Sequence, residues 1–94
     1  MIELGGNINL DGFDNVEQGK LIIIKKILGN YVKNLIENTE NFESILLSLK
    51  TEENNLIEVK LKCGANELIC NSSDNNIFFA MNNVLTELES NLTQ

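Results

Sequence analysis

The order in which hydrophobic periods succeed one another constrains this chain more than any single residue does. A period-two segment at 2–10 leads into a long helical period, then three short alternating segments, then a second helical period. One strand–helix–strand unit followed by a meander and a closing helix uses nearly all of the 94 residues. That is the layout of a small α+β sandwich rather than of a catalytic cleft. No linker, repeat or low-complexity tract divides residues 1–94, which read as a single domain.

Ile2, Leu4, Ile8 and Leu10 read as a first strand, with a bulge expected at Gly5-Gly6 and an end at Asp11-Gly12. Asp14 followed by Glu17 resembles a capping box and opens a helix from Val16 to Glu37. Its apolar stripe is Leu21, Ile24, Leu28, Tyr31, Val32 and Leu35. Gly29 interrupts it at a cost of about 1 kcal/mol relative to alanine, for which a close backbone packing contact is the usual reason.

Ile45, Leu47 and Leu49 alternate with Leu46, Ser48 and Lys50 in a second strand. A third presents Ile57, Val59, Leu61 and Cys63 on one face and Glu58, Lys60 and Lys62 on the other. A two-residue turn at Asn54-Asn55 would set Leu49 against Lys60, so a three- or five-residue loop is expected. A fourth strand spans Glu67 to Asn71, and Ser72, Ser73 or Asp74 then caps a helix striped with Ile77, Met81, Val84, Leu85, Leu88 and Leu92. Each strand has one apolar face and each helix one apolar stripe. The expected architecture is therefore a two-layer β-α-β-β-β-α sandwich, a four-stranded sheet with both helices on one face. If the first two strands are parallel neighbours, their crossover is right-handed.

Composition narrows the chemistry. A chain of this length should bury about 60–65% of its unfolded surface, and 43% hydrophobic residues can supply the core. The net charge is −7, and every basic residue is a lysine. Such a balance opposes sequence-independent binding to nucleic acid. No apolar run approaches the ~20 residues of a membrane span, and without a basic n-region or cleavage site after Met1 no signal peptide is expected. The expected setting is cytoplasmic, with no membrane contact.

With a turn at Gly64 to Glu67, Cys63 lies opposite Leu68 and Leu61 opposite Cys70. The thiols are then diagonal neighbours about 7–8 Å apart, too far for an easy disulfide. They read as small buried hydrophobes in a reducing compartment. Two cysteines without histidine make a poor zinc site. Gly5-Gly6 lacks the spacing and lysine of a nucleotide loop, and no nucleophile–base pair is visible. No catalytic residue, metal, cofactor or small-molecule substrate is expected.

Three segments carry a resemblance: Leu4-Gly5-Gly6-Asn7-Ile8-Asn9-Leu10; Ile57-Glu58-Val59-Lys60-Leu61 with Gly64 and Leu68; and the whole stretch from Asp74 to Leu92. Together they resemble the opening strand, central hairpin and last helix of the hibernation-promoting-factor family of ribosome-associated inhibitors. That family's core is similar to a double-stranded-RNA-binding domain with an added first strand. The resemblance implies a factor that binds the small ribosomal subunit and represses translation during slow growth. The chain departs from the family where basic residues grip RNA. Gly6 stands at the opening arginine position, and Glu87, Ser90 and Asn91 stand in the last helix's basic tail. Losing such contacts weakens phosphate binding by orders of magnitude.

Two sets of surface residues remain. Lys50, Lys60 and Lys62 come from adjacent strands, and Lys26 and Lys33 share a side of the first helix; both sets are candidates to meet nucleic acid, or simply wet surface. Ile22, Ile23 and Phe79 lie off the core stripes and are candidates for a partner or homodimer surface, or scattered exposed apolar residues. The alternative to a ribosome factor is thus an acidic, non-catalytic interaction or dimerisation module on the same fold.

Overall fold

The computed structural model describes residues 2–5, 7–39 and 41–92. Its elements are β1 (Ile2–Gly5), β2 (Ile8–Asp11), α1 (Gln18–Asn38), β3 (Phe42–Thr51), β4 (Leu56–Cys63), β5 (Asn66–Ser72) and α2 (Ile77–Leu92). The expectation of four strands is corrected: the sheet has five, in the order β1-β2-β3-β4-β5. The segment read as one bulged strand folds back on itself, with Ile2 facing Leu10 and Gly5 facing Ile8 in antiparallel register. Ile2, Leu4, Ile8 and Leu10 all hold even positions, so a straight strand and a hairpin sort them onto one face alike. Parity could not separate the two. The glycines could, since Gly-rich dipeptides between apolar pairs also signal hairpins. Gly6 lies outside the described residues, and so does the arginine-position comparison made there.

β2 pairs with β3 in parallel and the remaining neighbours are antiparallel, so the sheet is mixed. α1 is the crossover that parallel pairing requires. The ladder sets Leu10, Leu47, Val59 and Cys70 in one row and Ile8, Ile45, Leu61 and Leu68 in the next. These residues share a cluster with Leu21, Ile24, Leu28 and Val32 of α1 and with Met81, Val84 and Leu88 of α2. Both helices therefore pack on the same face of the sheet, as expected. Leu28 and Leu88 are fully buried in that core. So is Phe13, which helical periodicity could not flag because it lies in the turn before α1. The Val16 N–H donates to the Phe13 carbonyl at 3.1 Å and closes that turn.

Several local readings change. The capping box at Asp14 does not form: Glu17 holds the N-cap position of α1 and makes no side-chain cap bond. α2 is capped by Asn76 rather than by Ser72, Ser73 or Asp74. Asn76 Oδ1 accepts from the N–H groups of Phe78 at 2.9 Å and Phe79 at 3.3 Å. Asp74 serves one step earlier, its carboxylate accepting the Asn76 N–H at 2.9 Å. Gly29 has no packing role, since a Cβ there would meet nothing within 4 Å. Gly12 does have one. Its φ is +80°, and a Cβ would lie 2.5 Å from the Leu49 carbonyl oxygen.

The β3–β4 connection restores the apolar register by a different route from the odd-length loop expected. Leu49 faces Ile57, Thr51 faces Leu56, and the register shifts between them. A four-residue loop plus one bulged residue thus keeps the apolar faces together. The loop is fastened to the start of α2. The Asn55 side-chain amide donates to the carbonyls of Asp74 at 3.1 Å and Asn75 at 3.0 Å, and the Asp74 N–H donates to the Asn54 carbonyl at 3.1 Å. Asn55 has φ +50°, a conformation asparagine tolerates better than most residues.

Candidate functional site

The sheet's uncovered face gathers the three sheet lysines, as the alternation of β3 and β4 requires, but it gathers acids with them. Lys50 and Lys60 each lie 4.0 Å from the same Glu58 carboxylate oxygen, and Lys62 lies 3.9 Å from Glu43. Glu67 stands directly across from Lys62. Three lysines against Glu43, Glu58 and Glu67 leave no positive excess on this face. Its exposed ion pairs contribute little stability. Their effect is to spend the charge that a phosphate backbone would need.

α1 is built differently. Between Gln18 and Ile36 its charged residues are Lys20, Lys25, Lys26 and Lys33, with no acid among them; Glu37 follows. Three of these lysines are exposed and Lys25 is partly so. The ion pairs among the described residues all lie on the sheet, and the α1 lysines enter none of them. Lys26 and Lys33 are two turns apart on one side, about 10 Å along the axis. Reading the sequence for spacing found those two but missed Lys20 and Lys25. The acid-free run in a chain of net charge −7 was the signal that would have found all four.

The exposed apolar residues concentrate on the same layer. Ile22 is 63% exposed, Ile23 48%, Ile27 37%, Ile36 54% and Phe79 62%; all five are helical, and among the described residues only Ile69 of this class lies on the sheet. Consecutive helical residues diverge by about 100°, so Ile22 and Ile23 point along different flanks of α1 rather than to one spot. Ile22, Gly29 and Ile36 recur every seven residues and form a row in which Gly29 leaves open space.

Where the two helices begin, a cavity of about 520 Å³ opens between Val16, Lys20, Leu49, Ile77, Phe78 and Phe79. Three of its rim asparagine side chains are already engaged, Asn55 and Asn76 in the loop and cap bonds above and Asn15 with Glu52 at 3.3 Å.

Tyr31 joins the helices by donating its hydroxyl to the Leu85 carbonyl at 3.3 Å. Burial first, then the charge of Glu89 and the neighbouring Cys70, push its phenol up to about 12. The cysteine geometry is corrected by two positions: Cys63 faces Asn66 and Cys70 faces Val59. The pair is therefore about 13 Å apart along the hairpin, and both thiols are free. Partial burial, reinforced by Glu43, raises the Cys63 thiol above its ordinary value. Cys70 is buried and accepts from the Asn91 side-chain amide at 3.2 Å.

Among the described residues no cluster of histidine, cysteine or carboxylate side chains is arranged to hold a metal. No described helix is long and apolar enough to cross a membrane. No protein-family profile matches the chain, and no curated protein matches it by sequence. Its fold is similar to that of a ribosomal subunit interface protein from Coxiella burnetii, with a TM-score of 0.63, 8% identity and 93% of each chain covered. At that identity the likeness is one of fold alone.

Proposed function

We propose that this protein is a cytoplasmic, non-catalytic ribosome-associated factor that occupies the small subunit and represses translation during slow growth. The observation that carries the reading is the fold likeness to a ribosomal subunit interface protein over 93% of both chains. The charge distribution supports it and moves the contact. The sheet lysines are matched by acids, whereas the α1 lysines are available to phosphates. Lys26 and Lys33, with Lys20 and Lys25, are the residues assigned to the RNA, and Lys50, Lys60 and Lys62 are secondary.

Co-sedimentation with ribosomes at low and high salt tests this. Binding should weaken with salt with a logarithmic slope of about −0.7 to −0.9 per phosphate neutralised. Lys26→Glu with Lys33→Glu should abolish it, while the triple glutamate change at Lys50, Lys60 and Lys62 should reduce it far less. Failure to sediment with ribosomes even at low salt overturns the reading.

A second reading is favoured by the exposed isoleucines and Phe79: an acidic protein-interaction module on the same fold. In that case salt has little effect on ribosome binding because there is none, and function resides in the apolar helical surface.

A further inference from the structure

The two helices form one layer, and that layer is divided by charge. The charged residues of α1 from Gln18 to Ile36 are all lysines, while those of α2 are Glu87 and Glu89, both exposed. Interspersed with them are Ile22, Ile23, Ile27 and Ile36 on α1 and Phe79 on α2, the large exposed apolar residues of this layer. Ile22 and Ile36 share one row of α1 across the open space at Gly29, and that row is the apolar part of the surface a partner would meet.

The charge division limits what can cover that face. Two copies meeting α1 to α1 would bring lysines against lysines. Two copies meeting layer to layer about a two-fold axis, with α1 of each over α2 of the other, set Lys26 and Lys33 over a helix that carries Glu87 on one flank and Glu89 on the other, twice, and close the assembly. The space available is adequate. The two longest principal extents of the whole molecule are 34 and 25 Å, which sets an upper bound for the face near the ~800 Å² per partner of a standard interface. Gly29, with nothing within 4 Å of a Cβ, lets a partner helix approach between Ile22 and Ile36.

We propose that the helical layer is a homodimer interface in which the basic α1 of each copy packs on the acidic α2 of the other. The dimer does not depend on ribosome binding. It covers the same lysines, so a second copy and the ribosome compete for α1.

Sedimentation equilibrium of the purified chain, without ribosomes, tests this across about 1 to 200 µM protein. The wild-type chain should pass from monomer to dimer, and added salt should weaken the dimer. One variant carries Lys26→Glu and Lys33→Glu, so both its helices are acidic. The other carries Glu87→Lys and Glu89→Lys, so both are basic. Each alone should self-associate at least about tenfold more weakly than wild type. Mixed one to one, they should recover a dimer containing one of each, because acidic α1 then meets basic α2 and the reverse. All four positions are exposed, and circular dichroism checks that each variant is folded. A wild-type chain monomeric throughout overturns the proposal. So does a dimer indifferent to both variants, or a mixture that associates no better than its components. A monomer that still sediments with ribosomes leaves the ribosome reading standing, so the two failures are distinguishable.

Discussion

α1 and α2 cover the same face of the same sheet, yet they are held and finished in opposite ways. α2 starts from a satisfied cap at Asn76, and the loop beneath that cap is tied by Asn55 to the β3–β4 turn. α1 starts at Glu17 with no side-chain cap and is instead anchored by Phe13, fully buried in the turn before it. One helix is fixed by polar bonds at its end, the other by an apolar plug. The outer surfaces differ equally: lysine and isoleucine on α1, glutamate and neutral polar residues on much of α2. Equal burial thus leaves the two helices free to differ in every property that burial does not decide.

Truncation of the anchors and stripes tests the comparison hardest. Phe13→Ala should cost about 3–5 kcal/mol and Leu28→Ala and Leu88→Ala about 2–5 kcal/mol each, read from denaturant midpoints at constant slope. A cost below about 1 kcal/mol at Phe13 would mean that α1 has another anchor.

The helix starts should respond unequally. Asn76→Ala should cost about 1 kcal/mol, whereas Glu17→Ala, which removes no cap bond, should cost only a few tenths. Equal losses at the two positions would erase the distinction.

Gly29→Ala sharpens it from the other side. With open space around the new Cβ, α1 of the dilute monomer, below the concentrations at which two copies associate, should gain about 0.5–1 kcal/mol from the better helix former. A loss would reveal a contact at Gly29 that the isolated chain does not make, as a dimer would.

The last effect joins the helices and shows only at high pH. The Tyr31 phenol is pushed up to about 12 from its ordinary value of 10.0, so the folded state holds its proton more tightly than the unfolded chain does. The stability this contributes is intact below about pH 10 and lost as pH rises through about 12. Tyr31→Phe should flatten the alkaline fall relative to wild type, measured by thermal midpoints between pH 9 and 12. Parallel curves for the two proteins would show that the phenol does not titrate with folding.

Much of this was legible in the residues, for identifiable reasons. Leu28 and Leu88 were placed correctly because 3.6-residue periodicity directly encodes which side of a helix is dry. The β1–β2 hairpin was not, because parity is blind to reversal of direction. The cysteines were displaced by two because the turn closes on Cys63 and Asn66, and a shift of two preserves every facing that hydrophobicity can report. The sheet lysines were found together, as alternation demands, but Glu43 and Glu67 belong to other strands. Their arrival beside Lys62 is a property of pairing, which one strand's sequence does not hold. The α1 lysines lay within a single helix, where no pairing was needed to see them.

The parallel junction between β2 and β3 has a kinetic consequence. β3, β4 and β5 are joined by short turns and can zip together by local encounters, while β2 must find β3 across about 30 intervening residues, a slower closure. A hairpin as short as β1–β2 does not persist alone in water. As the chain lengthens from its start, β1 and β2 appear before their neighbour exists and remain unsecured until Phe42–Thr51 has been made. Their unpaired edge is meanwhile open to any strand that passes. A segment made before its neighbour is thus docked only after that neighbour is complete.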